Sequence, residues 1–130
     1  MEYSEEVRRL FDTLPHCGEL AAGAGPIVAG EAAELERGAW LRFEARLADG
    51  AIVDAAFRAW GCPHTLAAAA LTAARLPGWR AGTPPPVDAR SLAGELAVPA
   101  DKLGRLLVLE DALQSLLRRA SELQSAPPGG

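Results

Sequence analysis

The chain has 130 residues, room for one domain and too little for two. It is 49% apolar but only 5% aromatic, so a single core is possible and alanine and leucine must do much of its packing. A net charge of −4 with scattered basic residues leaves no footprint for nucleic acid, and no apolar run is long enough to span a bilayer.

The longest such run, residues 65–76, stops at Pro77. The N-terminus is acidic and lacks a signal-peptide layout, so the chain reads as cytoplasmic. Its two cysteines, Cys17 and Cys62, are then expected as thiols rather than a structural disulfide.

Ser4 is placed to cap a first helix carrying Val7, Leu10 and Phe11 at helical spacing, with Glu5 and Glu6 in the first turn where the helix dipole favours them. That helix ends near Leu14 and Pro15. A glycine- and alanine-rich passage follows, in which residues 26–29 suggest a short edge strand.

From Trp40 the period changes to two. Leu41, Phe43, Ala45 and Leu47 alternate with polar positions. After a turn signal at Asp49–Gly50 the alternation resumes with Val53, Ala55, Phe57 and Ala59. A strict two-residue loop would set Leu41 opposite Arg58 and mix the faces. A three-residue loop at 49–51 sets Leu41 opposite Ala59, Phe43 opposite Phe57 and Leu47 opposite Val53. The same register puts Trp40 opposite Trp60 and Arg46 opposite Asp54 on the outer face, with an unfavourable Arg42–Arg58 pair.

Gly61-Cys62-Pro63-His64 then opens a second helix, with Pro63 in its first turn and Cys62 at the cap. Residues 78–86 include Pro84, Pro85 and Pro86 and should be an irregular, exposed loop. A short helix is expected over 91–97, and a long one after Pro99 carrying Leu103, Leu106, Leu113 and Leu117 on one face. These elements make one α+β domain over 1–124, with 125–130 as a disordered tail.

Several pieces occur in an order that resembles one known family. They are the Met-Glu-Tyr-Ser-Glu-Glu-Val start, the strand ending in Trp60-Gly61-Cys62, and the small-residue helix after it. Glu95-Leu96-Ala97-Val98-Pro99 and a helix with Leu109-Glu110-Asp111-Ala112 complete the set. Together they resemble IscU and the N-terminal domain of NifU, the scaffolds of iron–sulfur cluster assembly. The resemblance implies an IscU/NifU-like α+β fold: a small antiparallel three-stranded sheet with helices packed on one face.

Those scaffolds hold a cluster or zinc through three cysteines, of which this chain keeps only Cys62. The resemblance places the first cysteine at Arg37, followed by Gly38 and by Ala39 where the family has aspartate. It places the third at Arg105, with the preceding histidine at Gly104. A zinc or cluster site wants about four ligands. Cys62 and His64 are too few, so no metal is expected in the monomer; a cluster or zinc is expected only if two chains share it.

Cys62 then reads either as a reactive thiolate, with His64, Arg37 and Arg105 as neighbours, or as a buried small hydrophobe. The arginines either replace the metal as a cross-link, by pairing with Glu34, Glu36 or Asp101, or bind an anion. His64 in a first helical turn is expected in solvent. Trp40 and Trp60 suggest a partner surface or a cross-strand pair. Pro99 and Lys102 match the family's chaperone-binding Leu-Pro-Pro-Val-Lys in kind, while Ala100 and Asp101 depart from it.

No arrangement of a classical enzyme is present. The function implied is a degenerate scaffold acting as an accessory or regulatory factor, with sulfur acceptance at Cys62 and a cysteine desulfurase or other assembly protein as partner. The alternatives are an interaction module without metal, or a redox protein pairing Cys62 with Cys17.

Overall fold

The computed structural model describes residues 3–124, so the expected tail at 125–130 lies outside the described residues. The first helix, α1 (Glu5–Thr13), starts where Ser4 accepts from the N–H of Val7. The same hydroxyl donates to the carbonyl of Leu96 at 2.9 Å, tying the start of the chain to a distant helix end.

Three strands, β1 (Ile27–Glu34), β2 (Ala39–Ala48) and β3 (Ala51–Trp60), form an antiparallel sheet in the order β1-β2-β3. The first strand is longer than the stretch 26–29 that the sequence suggested. Residues 16–18 add a short pairing on the far edge of β3: Phe57 N–H donates to His16 O at 2.9 Å and Gly18 N–H to Phe57 O at 2.8 Å. The chain then crosses the outer face, where Leu20 N–H meets the Glu44 carboxylate and Arg46 donates to the carbonyls of Ala21 and Ala24.

The β2–β3 register has Trp40 opposite Trp60, Leu41 opposite Ala59 and Phe43 opposite Phe57, as the face pattern requires. The turn differs from expectation. Ala48 pairs with Ala51 around a two-residue turn, Asp49–Gly50, with φ of 52° and 78°. Positive φ at both positions suits the right-handed twist of a hairpin. The register shifts between Arg46 and Leu47, so Leu47 faces Ile52 and not Val53. Val53 is the extra bulge residue and is 49% exposed, whereas Ile52 is buried. Arg42 does lie opposite Arg58, but each has a carboxylate: Arg42 pairs with Glu31 and Glu44, and Arg58 with Glu19.

Helices α2 (Pro63–Arg75), α3 (Ala89–Leu96) and α4 (Leu103–Gln124) complete the domain. The third begins two residues earlier than expected because Asp88 caps it through Ser91 N–H at 2.8 Å. The apolar sheet face (Leu41, Phe43, Ala45, Phe57) is buried with the alanines of α2 and the leucines of α4. α4 lies over β1 and β2, α2 over β3, α1 on α2 and α3 on α4.

Residues 78–86 are irregular, as the prolines demand, but not wholly exposed. Trp79 is buried, its indole N–H donating to Pro84 O at 3.2 Å and its carbonyl accepting from Ile52 N–H at 2.9 Å. Among the described residues, no helix is long and apolar enough to cross a membrane.

Candidate functional site

Three chain segments meet at Cys62. β3 ends at Trp60, and Gly61 turns the chain with φ of +156°. A Cβ on Gly61 would press on Thr65 Cβ at 3.1 Å and on Gly38 O at 3.3 Å, so the position is open only to glycine. The turn delivers Cys62, in extended backbone, to the cap position of α2 with Pro63 in the first turn.

The second segment is a short 3-10 turn at Leu35–Arg37, closed by Gly38 in the left-handed region. The third is the start of α4, entered through Pro99 and a turn at Ala100–Lys102. Arg105 joins all three. Its Nε donates to the carbonyl of Arg37 at 2.9 Å and its Nη1 reaches Cys62 Sγ at 3.8 Å. The helix dipole disfavours a cation in the first turn of α4. The Arg37 carbonyl and the Cys62 sulfur, both acceptors, offset that cost.

Arg37 pairs with Glu34 at 2.9 Å, and its guanidinium lies across Gly104, where a Cβ would collide with Nη1. The structure therefore gathers Arg37, Cys62, Gly104 and Arg105, the positions the family resemblance assigns to the metal site. The expected arginine–carboxylate cross-link is corrected in one respect. The Arg37–Glu34 pair is local, and the link between distant segments runs from Arg105 to a backbone carbonyl and to the thiol.

His64 also departs from expectation. It is 2% exposed rather than solvated, with its ring edge against Tyr3 at 4.8 Å between centroids. Its Nδ1 is buried without a hydrogen-bond partner. Burial, then the charges of Lys102 and Arg105, hold its pKa below the ordinary histidine value against an opposing contribution from Asp101.

Burial pushes the Cys62 thiol up, but the hydroxyl of Thr65 outweighs it together with the N–H groups of Thr65 and His64 and the charge of Arg105. The result is a thiol pKa below the ordinary value. The Thr65 hydroxyl lies 3.5 Å from Sγ. Thr65 was missed in the sequence, although it stands three residues after a cap position, where capping contacts are made. Tyr3, which shields His64, carries no such local signal.

Trp60 is 47% exposed, while Trp40 is half-buried and donates its indole N–H to Glu31 at 2.9 Å. Pro99 and Lys102 are half-buried at the entry to α4. Cys17 is exposed beside Phe57. Cys17 and Cys62 are both free thiols.

Among the described residues no three His, Cys, Asp or Glu side chains are grouped so as to hold a metal ion. One soft sulfur, with arginines at the other two expected ligand positions, does not fit zinc or a cluster within a single chain. The Arg105 guanidinium donates to the Cys62 sulfur instead.

Comparisons with known proteins bear on the family and the fold. A family model described as the NifU-like N terminal domain matches residues 2–119. Among solved structures, a putative iron–sulfur cluster assembly scaffold protein for the SUF system from the thermophile Fervidobacterium islandicum AW-1 superposes with a TM-score of 0.67 at 16% identity, covering 88% of this chain and 96% of that one. A nitrogen-fixing NifU-like protein (N-terminal) from Brucella abortus gives a TM-score of 0.56 at 13% identity, covering 94% of this chain and 95% of that one. These likenesses show the fold. A comparison with curated protein sequences gives no match.

Proposed function

Because this chain belongs to the family of NifU-like N-terminal domains, we propose that it acts in iron–sulfur cluster assembly as an accessory or regulatory protein that accepts sulfur on Cys62. The observation that carries this is the Arg105 guanidinium 3.8 Å from Cys62 Sγ, at the positions where the family's metal ligands are expected. A thiolate held by a guanidinium and a helix N-terminus is the reactive form of cysteine.

The proposed step is a thiol–persulfide exchange. The Cys62 thiolate attacks the outer sulfur of a donor persulfide. The donor S–S bond breaks, its electron pair leaves on the inner sulfur, and that sulfur takes the persulfide proton. No net oxidation occurs and no metal is required. The chain is then a carrier and not an enzyme, acting in the cytoplasm with a cysteine desulfurase or another assembly protein as partner. A cluster or zinc would enter only where two chains present paired Cys62 residues.

An interaction module without sulfur chemistry is the second reading. It is favoured by Trp60 at 47% and Leu35 at 79% exposure near the site, with Trp40, Pro99 and Lys102 as candidate partner contacts. Incubation with a cysteine desulfurase and cysteine, followed by mass analysis of the Cys17→Ser protein, separates the two. Gain of one sulfur atom on Cys62 supports the carrier. A stable complex with no added sulfur supports the module.

A further inference from the structure

A groove of about 510 Å³ runs along the free edge of β1, away from Cys62, between Ile27, Val28 and Ala29 and the α4 residues Arg119, Glu122 and Leu123. It is followed by a cavity of about 280 Å³ around Gly30 that also takes in Ser115 and Arg42.

The backbone defines what fits there. In an antiparallel ladder, alternate residues direct both N–H and C=O to the neighbour and the others direct both away. Leu47 N–H donates to Pro26 O at 2.9 Å, next to the pair of Ile27 with Arg46. The even-numbered positions of β1 therefore bond to β2, and Ile27, Ala29, Glu31 and Ala33 direct their backbone groups outward. Among the described residues no segment pairs along that edge. The strand contains neither proline nor lysine, the residues that commonly block such an edge.

We propose that this edge takes up an extended peptide segment of a partner protein as an added strand, with an acidic peptide side chain meeting Arg119. A row of outward amide and carbonyl groups beside a helix wall recognises extended backbone, and alternate side chains then fall toward or away from α4. Arg119 is exposed on that wall, and Arg42 of the middle strand lines the adjoining cavity, its Nε buried without a hydrogen-bond partner. A second copy of β1 would be crowded by its own α4. α4 lies over β1 with its Leu116 backbone against Gly30. A two-fold copy would bring its own α4 to between one and two strand spacings from the first, about 5–10 Å, at or under the ~8–10 Å between packed helices.

The probe is a fluorescein-labelled, end-capped nine-residue peptide alternating valine and threonine around one central aspartate. Its control is the same peptide N-methylated at every second residue. Binding by anisotropy is expected, with amide shifts at Ala29, Glu31 and Ala33 in heteronuclear NMR. N-methylation and Arg119→Glu are each expected to weaken it by roughly ten-fold or more, the scale of one lost hydrogen bond or charge pair. Ala29→Pro, which removes an outward N–H without touching the β2 ladder, should weaken binding while leaving the circular dichroism unchanged. Equal binding of the N-methylated peptide, shifts confined to other residues, or no binding at millimolar peptide would overturn the proposal. A dimer in sedimentation that Ala29→Pro dissolves would overturn it in favour of a second copy.

Discussion

Gly30 of β1 lies backbone to backbone against Leu116 of α4. A Cβ at this glycine would collide with the Leu116 amide nitrogen and come within 2.7 Å of Ala112 O. Neither obstacle can swing aside, so Gly30→Ala must lift α4 from the sheet. A loss of about 1–3 kcal/mol or more is expected, the scale of overpacking. Gly104→Ala meets only the mobile end of Arg37, whose pair with Glu34 is half exposed and worth little. Helix propensity favours alanine there by ~1 kcal/mol, so its stability should stay within about that amount of wild type. Thermal melts of the two variants check the contrast.

The bulge at Val53 makes an unusual deletion tolerable. Without that residue, Ile52, Asp54, Ala55, Ala56 and Phe57 would alternate strictly, and the pairs Leu47–Ile52 and Arg46–Asp54 would be kept. Removing Val53 should cost no more than about 1 kcal/mol, whereas removing Ala55 either flips every later side chain or, if the bulge closes to keep Phe43 with Phe57, turns the Asp54 carboxylate inward opposite Ala45, and should cost several kcal/mol. Similar melts for both deletions would contradict the assignment.

Acid should destabilise the protein through His64. Its folded pKa lies below the ordinary value through burial and the charges of Lys102 and Arg105, with Asp101 opposing. The unfolded chain therefore takes up a proton first as pH falls. The contribution is complete above about pH 6.5 and is lost progressively below it. Denaturant midpoints measured from about pH 7 to pH 5 should fall in the wild type and fall less in His64→Leu. An unchanged slope in the variant would assign the effect to other groups.

Cys62 should alkylate at neutral pH faster than an unperturbed thiol, in a Cys17→Ser background. The midpoint of its pH–rate profile should lie below that of a free cysteine. Thr65→Val and Arg105→Ala should both raise that midpoint, since the Thr65 hydroxyl and the Arg105 charge both lower the pKa. A midpoint at or above the free value would leave Cys62 as a buried remnant.

The hairpin faces were legible because Phe43 and Phe57 can be buried together in one register only. The bulge was not, since Ile52 and Val53 are alike in polarity and only packing decides which goes inward. The Asp49–Gly50 signal is sound, and it conflicts with the faces only for a strand without a bulge. Prolines reported the backbone of 78–86 but not that Trp79 would be drawn into the core. At the site, Cys62 was placed by Pro63 and the end of the strand. Arg37 and Arg105, at positions 68 residues apart, were brought forward only by the family resemblance. The burial of His64 depends on Tyr3, a contact no local pattern encodes.

The most direct test is the iron, zinc and sulfide content of protein purified without air, measured together with its mass in solution. With one sulfur ligand and two guanidiniums at the site, the monomer should carry no stoichiometric metal, and any metal should travel with a species of two chains. A tightly bound zinc ion or cluster in the monomer would contradict the account.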